Sequence, residues 1–143
     1  MKAEELRIGN YIYGNYYGNE DEEKTEKCKV LGIDSVGFSE YPIWVEGLEE
    51  TGIETYMGFQ PIPLTEEWLL KFGFKKQIGF IKFIGVPYEK DSFEVAHNDL
   101  DKWYCYFRNF VKGAQDDFVL LRNDLKHVHQ LQNLYHALTG KEL

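Results

Sequence analysis

Short stretches in which apolar and polar side chains alternate recur through the first part of the chain. The first, residues 6–13, alternates around a Gly-Asn step that predicts a bend or bulge. The same pattern predicts further strands at residues 29–35, 41–48 and 53–59. Because short strands at this spacing are typical of small curved sheets, residues 1–60 are predicted to form a bent β-sheet or a small barrel.

The segment between the first two predicted strands, residues 15–27, has the composition of a loop. It contains Gly18-Asn19, whose residue types tolerate positive φ, and a run of four acidic residues at 20–23. Because like charges repel one another, the run indicates an extended, solvated segment. The adjacent pair Tyr16-Tyr17 is therefore expected to lie in a polar loop.

A short helix is predicted directly after this unit. Two prolines between residues 61 and 63 stiffen the chain and remove backbone donors. Thr65 is placed to cap the helix, and two glutamates follow in the first turn, where the helix dipole favours negative charge. Gly73 predicts a left-handed end, after which Phe74 can fold back onto the apolar face.

The second half predicts an antiparallel sheet and a closing helix. Residues 77–84 are apolar on both faces, and a hairpin is predicted from residues 92–97 and 102–110, with a last strand at 117–121. A helix is predicted at residues 124–138, capped by Asn123, stopped by Gly140 and amphipathic enough to pack on the sheet. The fold class is therefore α+β. It divides into a small β unit at 1–60 and a second unit at 61–143, or the two halves share one core.

Three stretches resemble a family of small uncharacterised proteins from gut-bacterial genomes, prophages and mobile elements. They are residues 6–12 (LRIGNYI), residues 61–69 (PIPLTEEWL), and residues 128–135 (VHQLQNLY) with 138–140 (LTG). The resemblance spans both ends and the middle of the chain. It implies an accessory role in a phage or mobile element and no particular activity. The opening stretch also resembles the first strand of SH3-like barrels.

The charge of the chain is distributed unevenly. The total is −8, with 16 Lys and Arg against 24 Asp and Glu. Residues 1–66 contain 5 basic and 14 acidic residues, a net charge of −9, and residues 67–143 contain 11 and 10, a net charge of +1. Binding to nucleic acid is disfavoured, because phosphate contacts need a basic surface.

The cellular location is predicted from the lack of a secretory signal and of a membrane-spanning stretch in the given sequence. The charged N-terminus has no apolar stretch typical of a secretory signal, and no apolar run approaches the roughly 20 residues of a membrane span. The two cysteines, Cys28 and Cys105, form no metal-binding or disulfide framework and are expected to be buried thiols. We therefore expect a cytoplasmic protein.

No motif with a defined chemistry is found, and we predict no catalytic residue, no metal site and no cofactor. His127 and His129 would point about 160° apart on a helix, so they would not share a metal, and His129 is expected on the solvated face. The acidic residues around 20–26 lack the spacing of a calcium loop. No nucleophile elbow, P-loop or dinucleotide fingerprint is present.

The high number of aromatic side chains gives the best indication of a binding surface. The chain has 10 Tyr, 10 Phe and 3 Trp, most of which are expected in the core. Tyr and Trp are also enriched at the centres of protein interfaces. Candidate binding residues are Tyr11, Tyr13, Tyr16, Tyr17 and Trp44, with the Tyr16-Tyr17 pair as the leading candidate.

The leading functional hypothesis is a non-enzymatic protein–protein interaction protein that uses its acidic N-terminal half as contact surface. A sharper form of it is a DNA mimic that occupies a nucleic-acid-binding protein. The alternative is a module that binds single-stranded nucleic acid by stacking bases on tyrosines. An enzyme with a site assembled from distant residues is a third possibility, and open sheet edges make a homodimer plausible.

Overall fold

The computed structural model describes residues 3–17, 22–33, 43–48, 56–77, 86–98, 102–109 and 117–143. These residues form two antiparallel β-sheets and two short α-helices, which confirms the predicted α+β class. The chain divides into two compact units. Unit 1 comprises Met1–Pro63 and His127–Leu143, and unit 2 comprises Leu64–Lys126.

Unit 1 contains a four-stranded antiparallel sheet in the order β3-β2-β1-β4. Its strands are β1 (Tyr11–Tyr17), β2 (Glu23–Ile33), β3 (Ile43–Gly47) and β4 (Gly58–Gln60). In the described residues the two end strands do not pair with each other. Of the two predicted alternatives, the open sheet is therefore the one observed, and the barrel is not.

One face of this sheet carries an apolar core. Ile12 and Cys28 are directly opposite each other on β1 and β2, and both are fully buried with Val30. Partly buried side chains pack around them: Ile33, Ile43, Val45, Tyr56 and Phe59. The prediction that Cys28 is a buried thiol is confirmed, as it is for Cys105 in unit 2.

The first predicted strand is displaced in the structure. A 3₁₀ turn covers Ala3–Glu5, and β1 begins only at Tyr11, because the segment before it is folded into a turn. Gly9 has a φ of +91°, and the Asn10 side chain accepts a hydrogen bond of 2.8 Å from the Arg7 amide. An asparagine that bonds the backbone in this way competes with strand pairing, which explains the delayed start.

The predicted loop at residues 15–27 is wrong for most of its length. β1 continues through Tyr17 and pairs residue by residue with the beginning of β2, from Tyr17 opposite Glu23 to Tyr11 opposite Lys29. Cross-strand pairing outweighs the weak strand preference of glycine and asparagine here. The Gly18-Asn19 pair and the first half of the acidic run lie outside the described residues.

The closing helix, α2, runs over Val128–Thr139, and its cap is His127 rather than Asn123. Asn123 is part of a strand that continues to Leu125, and it is this longer strand that delays the helix. The predicted stop at Gly140 is confirmed by a φ of +70°.

The side chains of α2 also explain why this helix is grouped with unit 1, although the sequence placed it in the second unit at 61–143. Gln132 accepts a hydrogen bond of 2.9 Å from the Tyr11 amide and donates one of 3.1 Å to the Gly9 carbonyl. Asn133 donates to the Glu5 carbonyl. The helix is therefore tied to the start of β1.

Unit 2 contains a five-stranded sheet whose spatial order follows the chain. The strands are β5 (Lys75–Lys76), β6 (Pro87–Lys90), β7 (Phe93–His97), β8 (Trp103–Asn109) and β9 (Asp117–Leu125). The predicted hairpin is confirmed by the antiparallel pairing of β7 and β8. The predicted strand at residues 77–84 falls almost entirely outside the described residues.

Helix α1 (Glu66–Lys71) begins after Thr65, whose side chain makes no capping hydrogen bond. As the sequence predicts, Gly73 follows the helix in the left-handed conformation, with a φ of +82°. The Phe74 amide donates to the Leu69 carbonyl and the Gly73 amide to the Leu70 carbonyl, the paired hydrogen bonds of a Schellman motif. Among the described residues, no helix is long and apolar enough to cross a membrane.

Candidate contact surface on the first sheet

The sheet of unit 1 has a second face, opposite its apolar core, that combines aromatic, apolar and basic side chains. Since successive residues of a strand point to opposite faces, the neighbours of buried Ile12 and Cys28 point away from the core. Directly opposite residues share a face, which brings Tyr11 next to Lys29 and Tyr13 next to Lys27. We define the outer face by these four residues together with Leu31 and Trp44.

Trp44 and Leu31 are the exposed apolar part of the outer face. The Trp44 side chain is 54% exposed and that of Leu31 is 52% exposed. A register shift between Val30 and Gly32 places one extra residue, Leu31, in β2. In a regular strand Gly32 would point to the core face with Val30, whereas the bulge brings Gly32 opposite Trp44 on the outer face, next in the chain to exposed Leu31.

A glycine allows the indole ring to lie flat on the strand beside it. Gly32 is directly opposite Trp44, and a Cβ atom built on Gly32 would lie 2.6 Å from Cε3 of the ring. Any side chain at position 32 would therefore push the ring away from β2. One side of the indole ring lies against the backbone of β2 at Gly32, and the other side is exposed to solvent.

The structure separates the five predicted binding residues. It brings Tyr11, Tyr13 and Trp44 onto one face, the two tyrosines half-buried and the tryptophan exposed. Tyr16 lies on the core side, is 7% exposed and makes an edge-to-face contact with Tyr56, with ring centroids 6.2 Å apart. The expectation that Tyr16 projects from a polar loop is wrong. Tyr17 is the last residue of β1, and its side chain lies outside the described residues.

Comparison with known proteins identifies no relative that could assign a role to this face. The chain matches no family model, no curated protein and no solved structure. The outer face is therefore interpreted from its own chemistry.

A buried polar pair lies on the core side of the sheet, although the sequence predicts Glu26 in a solvated loop. Glu26 is 3% exposed and accepts a short hydrogen bond from the Tyr56 hydroxyl. Burial, followed by the hydrogen bond to Glu26, raises the pKa of Tyr56 well above its usual range. The spacing of the sequence could have indicated the burial of Glu26. Glu26, Cys28 and Val30 are two residues apart and form one buried face of β2.

We expect Tyr56→Phe to lower the free energy of unfolding by about 2 kcal/mol, because a hydrogen bond to a buried carboxylate is lost. Because the pKa of Tyr56 is raised in the folded protein, the free energy of unfolding should decrease at alkaline pH. The unfolded phenol ionises near pH 10, so the stabilisation is complete below about pH 10 and is lost as the pH rises further. Urea unfolding between pH 8 and 10.5 should therefore show a steeper loss of stability in the wild type than in Tyr56→Phe.

Tyr13→Phe is the matched control, since Tyr13 is a half-buried tyrosine of unit 1 that lies on the outer face of the sheet, away from Glu26. It should change stability by less than about 0.5 kcal/mol. Equal alkaline slopes in the wild type and Tyr56→Phe would contradict the assignment of the pH dependence to Tyr56.

The histidines lie differently from their predicted positions. His129 is buried, at 1% exposure, rather than solvated. The rings of His127 and His129 are stacked, with centroids 5.6 Å apart and an angle of 9° between the planes. The predicted 160° separation fails because His127 caps the helix with extended backbone, φ −131°, so helical geometry does not apply to it. Within the described parts of the chain, no group of His, Cys, Asp and Glu is placed to hold a metal ion.

A small pocket of unit 2 collects ionisable groups around Arg108. Its guanidinium lies 3.0 Å from a carboxylate oxygen of Glu89 and 4.0 Å from one of Glu94, which is 4% exposed. Asp91 also lines the pocket and has a φ of +53°. Because Arg108 compensates the two nearest carboxylates, the arrangement is that of an ion-pair network that stabilises the β6–β7 hairpin.

Proposed function

We propose that this chain is a non-enzymatic protein-binding accessory protein that contacts its partner through the outer face of unit 1. The observation that supports this most directly is the half-exposed indole of Trp44 held over Gly32, with exposed Leu31 next to Gly32 in the chain. Soluble proteins gain nothing in stability from exposing such rings, and Trp and Tyr are concentrated at the centres of protein interfaces. The family resemblance of the sequence supports a role as an accessory protein of a phage or mobile element.

The charges around this face favour a partner surface of mixed character. The net charge of −9 over residues 1–66 attracts a basic partner at long range. At contact distance, Lys27 and Lys29 lie between the tyrosines of β1 and strand β3, and Glu46 is directly opposite Lys29. The complementary surface is therefore apolar where it meets Trp44 and Leu31, with carboxylates opposite the lysines.

The proposal is tested by capturing partners from a lysate of the source organism with Trp44→Ala, with and without nuclease. We expect the wild type to retain one protein under both conditions and Trp44→Ala to lose it. The stability of the variant should change by less than about 1 kcal/mol, because the ring is half exposed.

Leu70→Ala is the matched control, since Leu70 is 50% exposed but lies on α1 in unit 2. It should retain the same protein as the wild type. A protein that binds Trp44→Ala as tightly as the wild type would place the contact elsewhere and contradict the proposal.

A second candidate, binding of single-stranded nucleic acid, is supported by one specific observation. The pairs Tyr11–Lys29 and Tyr13–Lys27 place ring and ammonium groups side by side on one face, a combination that can stack bases and neutralise phosphates. Fluorescence anisotropy with a labelled single-stranded oligonucleotide at low salt tests it. Binding that weakens with salt and is lost in Tyr13→Ala would support this candidate over a protein partner.

A further inference from the structure

A carboxylate of the chain itself lies on an arginine close to the start of β1. The Glu142 side chain, in the segment after α2, accepts hydrogen bonds from the two terminal nitrogens of Arg7, of 2.6 Å to Oε1 and 2.8 Å to Oε2. We infer that Arg7 is a binding site for a carboxylate of the partner protein, and that Glu142 occupies this site until the partner displaces it. The inference rests on the proposed function, since it gives the chemistry of one contact that the partner makes.

The turn before β1 holds Arg7 in a fixed orientation. The Arg7 amide donates to the side chain of Asn10 at 2.8 Å, and the Asn10 amide donates back to the Arg7 carbonyl at 3.1 Å. Asn10 is fully buried and donates to Asn133 of α2. Nε of Arg7 is shielded from solvent, so the guanidinium presents its two terminal nitrogens outward. A fork of this kind matches the two oxygens of a carboxylate.

The carboxylate of Glu142 also lies against bare backbone at Gly9. A Cβ atom built on Gly9 would be 3.3 Å from Oε2 of Glu142, which is tighter than an ordinary van der Waals contact. The φ of Gly9 is +91°, in a region that favours glycine. The turn therefore needs a glycine for its backbone, and the same glycine leaves room beside Arg7 for an oxygen atom of a ligand.

Basic side chains from three elements surround this carboxylate: Arg7 from the turn, His136 from α2 and Lys29 from β2. Nε2 of His136 lies 3.7 Å from Oε1 of Glu142. The hydrogen bond from Arg7 is the main cause of the lowered pKa of Glu142, and the electrostatic contributions of His136 and Lys29 lower it further. Lys29 belongs to the outer face, so the Arg7 site adjoins the surface on which we place the partner.

Glu142 is held weakly enough to exchange with another carboxylate. Its side chain is 55% exposed, and water competes with exposed ion pairs, so they contribute little to stability. The segment after α2 forms its backbone hydrogen bonds with the end of the helix, where the Gly140 amide donates to the His136 carbonyl and the Lys141 amide to the Thr139 hydroxyl. Release of the Glu142 side chain therefore leaves the helix end in place.

An ion pair of unit 2 provides a matched comparison, because it lacks these features. Arg122 and Asp124 are two residues apart on β9, and Nε of Arg122 lies 2.7 Å from Oδ1 of Asp124. The Arg122 side chain is 40% exposed, against 27% for Arg7. Removal of the Asp124 carboxylate would release an arginine that has no prepared site around it.

Titration with glutarate at constant ionic strength tests the site without the partner. Binding is followed by the chemical shift of the shielded Arg7 Nε–H in ¹⁵N-labelled protein. Glu142→Gln should bind glutarate at least about fivefold more tightly than the wild type, because an internal carboxylate competes at a high effective concentration. Asp124→Asn changes the net charge equally and should alter the affinity at Arg7 by less than about twofold, since exposed charges far from the site are screened.

A double variant separates the fork of Arg7 from its charge. Glu142→Gln combined with Arg7→Lys keeps a positive charge at position 7 but cannot pair with both oxygens, so the gain in affinity for glutarate should be lost. Equal affinity of the wild type and Glu142→Gln would overturn the inference, as would a double variant that binds as tightly as Glu142→Gln alone. Preference of Glu142→Gln for inorganic phosphate over glutarate would contradict the assignment to a carboxylate.

Capture from the lysate keeps this inference distinguishable from the proposed function. Glu142→Gln should retain more of the captured protein than the wild type, and Arg7→Lys should retain less. If glutarate binds as expected but Trp44→Ala still captures the same protein, the proposed function fails and the carboxylate site at Arg7 stands. If Trp44→Ala loses the protein but glutarate binds the wild type and Glu142→Gln equally, the inference fails and the proposed function stands.

Discussion

Replacing Gly14 with alanine is expected to lower the free energy of unfolding by about 3 kcal/mol, the upper range for overpacking of a core. Gly14 lies in the middle of β1, on the core side of the sheet. A Cβ atom there would overlap with the ring of Tyr56 and lie 2.8 Å from the sulfur of Cys28. The ring cannot move away without stretching its hydrogen bond to Glu26, so a methyl group would disturb the buried polar pair as well.

Gly58→Ala is the matched control for this prediction. Gly58 lies on β4 of the same sheet, and a Cβ atom there would meet nothing within 4 Å. Alanine at this position should be neutral or stabilise by up to about 1 kcal/mol, because it restricts the unfolded chain. Combining Gly14→Ala with Tyr56→Leu should cost less than the sum of the two changes. Additive losses in urea unfolding would show that the ring is not the obstacle.

The second large effect is expected from Gln132→Ala in the closing helix. Gln132 is 1% exposed and bonds both the amide of Tyr11 and the carbonyl of Gly9. Each backbone group left unsatisfied in a buried place costs about 1–3 kcal/mol, so the loss should be about 3 kcal/mol. Hydrogen exchange should show it locally, with the Tyr11 amide losing more protection than amides in the middle of β2.

Two further variants distinguish the contribution of the Gln132 hydrogen bonds to stability from the contribution of its side-chain packing. Gln132→Met keeps the length of the side chain and should still lose most of the stability, since neither backbone group regains a partner. Leu138→Ala, at a leucine of the same helix that is 50% exposed, should change stability by less than about 0.5 kcal/mol. A methionine variant as stable as the wild type would show that Gln132 acts through packing alone.

Local signals explain which elements could be predicted from the sequence. Helix α1 was predicted correctly because the acidic residues of its first turn and the stop at Gly73 act within a few residues, although the Thr65 side chain makes no capping hydrogen bond. The predicted start of α2 was wrong. Asn123 has the residue type of a helix cap, but it lies in β9, whose last residue, Leu125, pairs with Trp103. Long-range strand pairing decided that boundary, and no local pattern reports it.

The same distinction applies to the candidate site. Alternation along β1 and β3 places Tyr11, Tyr13 and Trp44 on the face away from the core, which a period of two can reveal once the strands are known. Alternation does not assign Tyr16 to a face in advance, because the glycines and asparagines around it predict a loop and hide the continuation of β1. Buried Glu26 and Gln132 were missed because the partners that make their burial possible, Tyr56 and the start of β1, are distant in sequence.

The closing of unit 1 by α2 has a consequence for the protein during its synthesis. Gln132 and Gly9 are separated by 123 residues. At translation rates of roughly 5–20 residues per second, the ribosome produces Gln132 roughly 6–25 s after Gly9. The first hairpin must wait through that interval with the Tyr11 end of its edge uncovered, while the intervening unit 2 is contiguous and can fold as it emerges. A nascent chain of this kind is most open to chaperones, and to strand exchange with neighbouring nascent chains, during those seconds.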